Sequence, residues 1–174
     1  ATDVIDIGCG PGRFVVEFAS TAHKAVGIDI SPRTIEYAKL FAQEIGRDNT
    51  EFFAYDFHEL NIRSTGLEGA FDLAFSSITP ALQGINGLEK FMALSRAWCY
   101  ISKFVHGNNE LHERIAKEVF NRPVYKQWDG KHFYTTFNIL YLQGYNPLTN
   151  YYRQEKESSR QADREAAAIY ARTV

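Results

Sequence analysis

Three glycines at alternate positions, Gly8, Gly10 and Gly12, follow the apolar run Val4-Ile5-Asp6-Ile7 and precede Arg13-Phe14. Glycine admits positive φ and lets a ligand approach bare backbone. A strand, a glycine turn and a helix start, in that order, form a device for nucleotide-type ligands. The dinucleotide fingerprint G-x-G-x-x-G would put its third glycine at position 13, which is Arg13 here. No G-x-x-x-x-G-K-[ST] run occurs, so a phosphate-cradling P-loop is excluded. An acidic group, Asp29, closes a second apolar run 21 residues after Gly8 (29 − 8). A carboxylate at the end of a second strand accepts ribose hydroxyls, in NAD-binding folds as in others.

These groups need a scaffold that brings them to one edge. The apolar patterning predicts strands over about 3–7, 24–30, 50–55 and 71–76, with a fifth over 97–105. Helices are predicted over about 12–20 and 32–45, and again over 88–95. Ser31-Pro32 supplies an N-cap and a first-turn proline, and Ile35, Ala38, Ala42 and Ile45 an apolar stripe. Strands alternating with helices argue for a parallel sheet covered on both faces. The third strand, Glu51–Tyr55, is followed by Asp56-Phe57, and the fourth reads Phe71-Asp72-Leu73-Ala74-Phe75-Ser76-Ser77.

The pattern D-x-G-x-G-x-G over Asp6–Gly12 resembles motif I of the class I S-adenosylmethionine-dependent methyltransferases. Asp29, Asp56 and the F-D-x strand at Phe71 follow in that family's order over about half of the chain. Singly, each feature is as well explained by a turn, a cap or a loop; the ordered set carries the resemblance. It implies a doubly wound, mostly parallel Rossmann-like sheet in the order 3-2-1-4-5, with S-adenosylmethionine as cofactor. Ligands of such sheets bind outside the carboxyl ends of the strands, where the chain reverses direction. The resemblance assigns Asp6 to the cofactor ammonium, Asp29 and Ile30 to the ribose region, and Asp56 to the adenine amino group. Phe57 would line the adenine pocket. Gly8, Cys9, Gly10, Gly12 and Arg13 would form the turn, and Ser76 and Ser77 the opposite side of the crevice.

Composition narrows the partners. A length of 174 residues suits a single methyltransferase domain over 1–174. Net charge is −2 and no Lys/Arg stripe stands out, which disfavours nucleic acid; the local group Arg122, Lys126 and Lys131 reads as a solvated face. No apolar run reaches the roughly 20 residues of a membrane span, so no membrane partner is expected. Cys9 and Cys99 form no C-x-x-C and suggest no metal; a reduced, cytoplasmic protein is the simplest reading. The sequence begins almost on its first strand without a methionine, where the resembling family carries an N-terminal helix. A missing N-terminal piece is therefore expected, and missing internal pieces near Glu157–Asp163, where the pattern breaks.

The second half is less regular. Asn109 is read as the cap of a helix carrying Leu111, Ile115 and Val119. Residues 107–132 are read as a substrate-side insertion after strand five. Phe133, Phe137 and Leu140 form a helical stripe that stops at Gly144, with Pro147 beyond. Tyr151–Gln154 is the candidate sixth strand, and the tail Ser159–Ala171 reads as helical.

Methyl transfer is an in-line displacement at a sulfonium carbon, so alignment and water exclusion dominate and no catalytic residue is assigned. The Asp/Asn-P-P-[YF] signature of amino-methylating nucleic-acid enzymes is absent; the stretch is Ser76-Ser77-Ile78-Thr79-Pro80. A small-molecule acceptor is the first reading. Its candidate contacts are the cluster Trp128, His132, Tyr134 and Asn138, with Thr79, His106 and Tyr152. A non-catalytic binding protein of the same fold is the alternative, and an NAD(P)-dependent oxidoreductase ranks below both. The sequence leaves the oligomeric state open.

Overall fold

A computed structural model of the chain describes residues 2–105, 113–123 and 130–152. The chain gathers into two compact units, Ala1–Lys103 and Phe104–Val174.

The first unit is a five-stranded sheet: β1 (Asp3–Ile7), β2 (Lys24–Asp29), β3 (Thr50–Ala54), β4 (Phe71–Ser77) and β5 (Ser95–Ser102). Its order is β3-β2-β1-β4-β5 and every pairing is parallel, as the sequence predicts. The register pairs Ile7 with Ile28, Asp29 with Ala54 and Ser77 with Ser102. The carboxyl ends of the strands thus share one rim, and β1 and β4 meet at the reversal of strand order.

Alternation along the central strands divides the core. Ile5, Ile7, Val26 and Ile28 pack with Phe71, Leu82, Phe91 and Leu94, on the face that α3 (Gly84–Met92) covers. Cys9, Val15, Ala25, Ile35, Ala38, Ala42 and Phe52 pack on the face covered by α1 (Arg13–Phe18) and α2 (Pro32–Ile45). Burial of a side chain such as Phe91 or Ile5, both at 0 % exposure, is worth roughly 1.5–3 kcal/mol. Helix α2 begins as expected, with Thr34 N–H donating to Ser31 Oγ at 3.3 Å. Ile45, however, is 48 % exposed and lies outside the buried stripe, because Ala38 and Ala42 already close the gap to the sheet.

The predicted helix over 88–95 instead ends at Met92, and β5 begins at Ser95 rather than 97. The reason is backbone pairing: Gly69 N–H and Phe71 N–H donate to Ala93 and Leu94 carbonyls, which draws that segment toward β4. Strand β5 also stops at Ser102, short of Val105.

In the second unit, Ile115–Val119 is a π-helical turn in which Ala116, not Val119, is buried. Asn109 and Leu111 lie outside the described residues. Helix α4 (Lys131–Leu142) carries Phe133, Phe137 and Leu140, and Gly144 follows it at φ 88°, as the stripe predicts. Tyr151 and Tyr152 are not in a strand; Arg153, Gln154 and the tail Ser159–Ala171 lie outside the described residues. No helix among the described residues is long and apolar enough to cross a membrane.

Candidate functional site

The turn after β1 is built from its own amides. Gly8, Gly10 and Gly12 have φ values of 76°, 53° and 82°. Gly8 N–H and Cys9 N–H both donate to the Ile28 carbonyl, at 2.8 and 3.0 Å, which seats the turn on the end of β2. Gly12 is held twice over. Its φ favours glycine, and a Cβ there would lie 2.9 Å from both Ala38 Cβ and Phe52 Cε1.

Asp29 ties the turn to the start of α2. One carboxylate oxygen accepts from Gly10 N–H at 3.0 Å and the other from Ser31 N–H at 3.0 Å. A carboxylate has about four acceptor positions, so two amides leave capacity for hydroxyl donors. Ile30, beside it, is 67 % exposed.

Asp6 is the anomalous group. Its side chain is 2 % exposed, and Oδ2 has no hydrogen-bond partner. Burial, with the nearby Asp29 charge, raises its pKa to about 7. An orphaned buried carboxylate is costly, and a ligand cation would relieve it. Cys9 is buried, and its thiol is pushed far up by burial and by Asp6 and Asp29, so it is a neutral packing group. Cys99 is likewise pushed up, to about 11, by burial.

After β3, Asp56 accepts from His58 N–H at 2.8 Å and stands half-buried at the rim. The Phe57 ring is 4 % exposed and packs with Leu60 and Ile62, so it serves the core beneath that rim. Lys90, which sequence reasoning missed, reaches from α3 to donate to the Phe57 and His58 carbonyls at 3.0 and 2.7 Å. Its long-range partners leave no local signal.

After β4, Ser76 is buried and donates to the Ile7 carbonyl at 3.3 Å, joining β4 to the start of the glycine turn. Ser77 Oγ and Ser102 Oγ are 2.8 Å apart. Ile78 then adopts φ 51°, at a cost to a β-branched residue of roughly 1–2 kcal/mol. Its N–H donates to the Ser102 carbonyl at 3.0 Å. Thr79 is carried over the turn: a Cβ on Gly8 would lie 2.6 Å from Thr79 Cβ. Gly8 therefore gives its space to Thr79, while nothing lies within 4 Å of the Cβ position at Gly10. Arg13 is exposed at the start of α1.

The structure thus brings Asp6, Gly8, Gly10, Asp29, Ser77 and Thr79 to the crevice between β1 and β4. The other candidate acceptor contacts lie in the second unit. His132, Tyr134 and Asn138 are exposed on α4, and Tyr152 is 87 % exposed. Tyr134 and Asn138 share a helix face at i, i+4, and His132 lies about 200° round from Tyr134. His106, Trp128 and Lys126 lie outside the described residues.

A doubly wound parallel sheet, with a glycine turn and ordered acidic groups at its switch point, defines a protein that binds a nucleoside-type ligand carrying a cation. Residues 1–136 match the family model of the methyltransferase domain. The chain belongs to that family, the class I S-adenosylmethionine-dependent methyltransferases. It is 36 % identical over 75 residues to the 2-heptyl-1-hydroxyquinolin-4(1H)-one methyltransferase of Mycobacteroides abscessus, covering 43 % of this chain and 31 % of that protein. It is 43 % identical over 51 residues to the 23S rRNA (uracil(747)-C(5))-methyltransferase RlmC of Vibrio vulnificus, covering 29 % of this chain and 14 % of that protein. The chain thus spans under a third of the length of either relative. A solved S-adenosylmethionine-dependent methyltransferase of Aquifex aeolicus shares the fold at TM-score 0.59 and 17 % identity, over 82 % of this chain and 71 % of that one.

Proposed function

We propose that this protein transfers the methyl group of S-adenosylmethionine to a small-molecule acceptor by in-line displacement. The observation that carries the reading is the buried, unpartnered Asp6 Oδ2 at the end of β1, two residues before a glycine turn whose Gly10 has open space at its Cβ position. The bound cofactor supplies an electrophilic sulfonium methyl with a neutral leaving group. Asp6 holds its ammonium, directly or through water, in a charge-assisted contact. Asp29, already oriented by two amides, accepts the ribose hydroxyls, and Asp56 the adenine amino group. Gly10, with open space above it, admits the cofactor against the backbone. Thr79, lying against Gly8, stands on the acceptor side. The chain's work is alignment and exclusion of water. The two cysteines, both with raised pKa, are poor nucleophiles.

The small-molecule reading is favoured by the absence of a basic stripe and of an Asp/Asn-P-P-[YF] motif. The Mycobacteroides relative, similar over 75 residues, is the methyltransferase of a small molecule, which agrees with it, whereas the likeness to RlmC extends over 51 residues. The test is incubation with methyl-labelled S-adenosylmethionine and either a panel of small hydroxy-, amino- and thiol-bearing arenes or total RNA. Label is expected in a small arene and not in RNA. Label in RNA alone, or in nothing while cofactor binds, overturns the acceptor class; the latter result favours a non-catalytic binding protein.

A further inference from the structure

The left-handed Ile78 has no structural return on its side chain. Its backbone is fixed by Ile78 N–H donating to Ser102 O, and the flanking residues by the Ser77–Ser102 hydroxyl pair and by Ala81 N–H donating to Thr79 Oγ1 at 3.2 Å. None of these bonds uses the isoleucine side chain. That side chain is 53 % exposed and lies outside both core clusters. Glycine would adopt φ 51° freely, and a polar residue would suit the exposure better. A strained residue at a ligand crevice points to a contact made with something outside the fold. The next residue, Thr79, packs on Gly8, the first glycine of the turn, so Ile78 lies one residue from the glycine turn, on the β4 side.

We propose that Ile78 is a specificity-determining residue, whose exposed side chain forms an apolar wall for a flat or alkyl-bearing acceptor. This rests on the methyl-transfer reading and adds the acceptor's apolar character to it. The backbone bonds around Ile78 fix its main chain, so binding an acceptor there costs only the rotamer freedom of one side chain.

The test compares wild type, Ile78→Gly and Ile78→Val in the full chain, with isoleucine methyl groups labelled for NMR and 2-naphthol as the probe. Thermal midpoints are measured alongside. The Ile78 δ-methyl signal, assigned by its loss in Ile78→Val, is expected to shift on titration with 2-naphthol. Ile78→Gly is expected to weaken 2-naphthol at least about fivefold while the thermal midpoint holds or rises, since glycine removes the backbone strain. A merely structural isoleucine would instead lower the midpoint and leave probe affinity unchanged, overturning the proposal. An unmoved Ile78 signal at saturating probe, or no 2-naphthol binding at all, also overturns it. A parallel titration with S-adenosylhomocysteine reads the donor site separately: its failure contradicts the methyl-transfer reading, and the probe arm remains interpretable without it.

Discussion

The turn after β1 and the loop after β4 meet where Thr79 packs on Gly8, and they reach positive φ by opposite means. The turn uses three glycines and stores no strain; each glycine leaves room for a neighbour or a ligand. The loop uses isoleucine at φ 51° and is held there by bonds to β5. The difference follows from what each must do. On the methyl-transfer reading proposed above, the turn is bare so that the cofactor can approach its backbone at Gly10. The loop must present side chains, so it tolerates a conformational cost that glycine would avoid.

Substitutions on the two sides should separate these roles. The largest effect is expected at Gly12. Gly12→Ala combines a left-handed alanine with a clash against Ala38 and Phe52, and should cost roughly 2–5 kcal/mol, read by urea unfolding. A cost below about 1 kcal/mol would show that the turn relaxes around the added methyl.

Asp6 gives the next effect, on the order of a few kcal/mol. Its folded-state pKa of about 7 lies above the unfolded carboxylate value. Between about pH 4 and 7 the folded protein keeps a proton that the unfolded chain releases, so stability of the free protein falls as pH rises through that window. Asp6→Asn should flatten the profile of thermal midpoint against pH. Affinity for S-adenosylhomocysteine should move the other way and rise through about pH 7, as the carboxylate ionises to meet the ammonium. A pH-independent affinity would remove Asp6 from the cofactor contact.

Gly10→Ala sharpens the contrast with Gly12. Nothing lies near its Cβ position, so only the φ penalty of roughly 1–2 kcal/mol is expected in stability. The same methyl should weaken cofactor binding more than it weakens the fold, as calorimetry would show. The smallest effect is expected at Ser102→Ala, which breaks the hydroxyl pair with Ser77 and should cost about 1 kcal/mol, leaving the Ile78 amide bond to the Ser102 carbonyl in place.

Most of the first unit was legible because its signals are local. The spacing of Gly8, Gly10 and Gly12, the Ser31-Pro32 start of α2 and the period-two apolar strands each report on a few consecutive residues. What escaped depends on partners far along the chain. The Lys90 bonds to the loop after β3, and the Asn49 side chain capping α1 through the Ala19 and Ala22 carbonyls at 3.0 and 2.9 Å, have no sequence pattern. Gly27 lies within β2 with no pattern to mark it, yet a Cβ there would lie 2.8 Å from Cys9 Sγ, so the strand is bare to let the turn settle. The Phe57 ring, three residues past the end of β3, packs with Leu60 and Ile62 in the core, a contact set by the turn that no residue pattern announces. Past Lys103, the apolar periodicity of Phe133, Phe137 and Leu140 marks α4.

The central claim is that Asp6, Asp29 and the glycine turn hold S-adenosylmethionine. Isothermal titration of the full chain with S-adenosylhomocysteine, beside Asp29→Ala, tests it most directly. One-to-one binding that Asp29→Ala weakens by about 100-fold or more, roughly 3 kcal/mol for two lost charge-assisted bonds, is the predicted result. Absence of binding by the wild-type chain, or undiminished binding by Asp29→Ala, would contradict it.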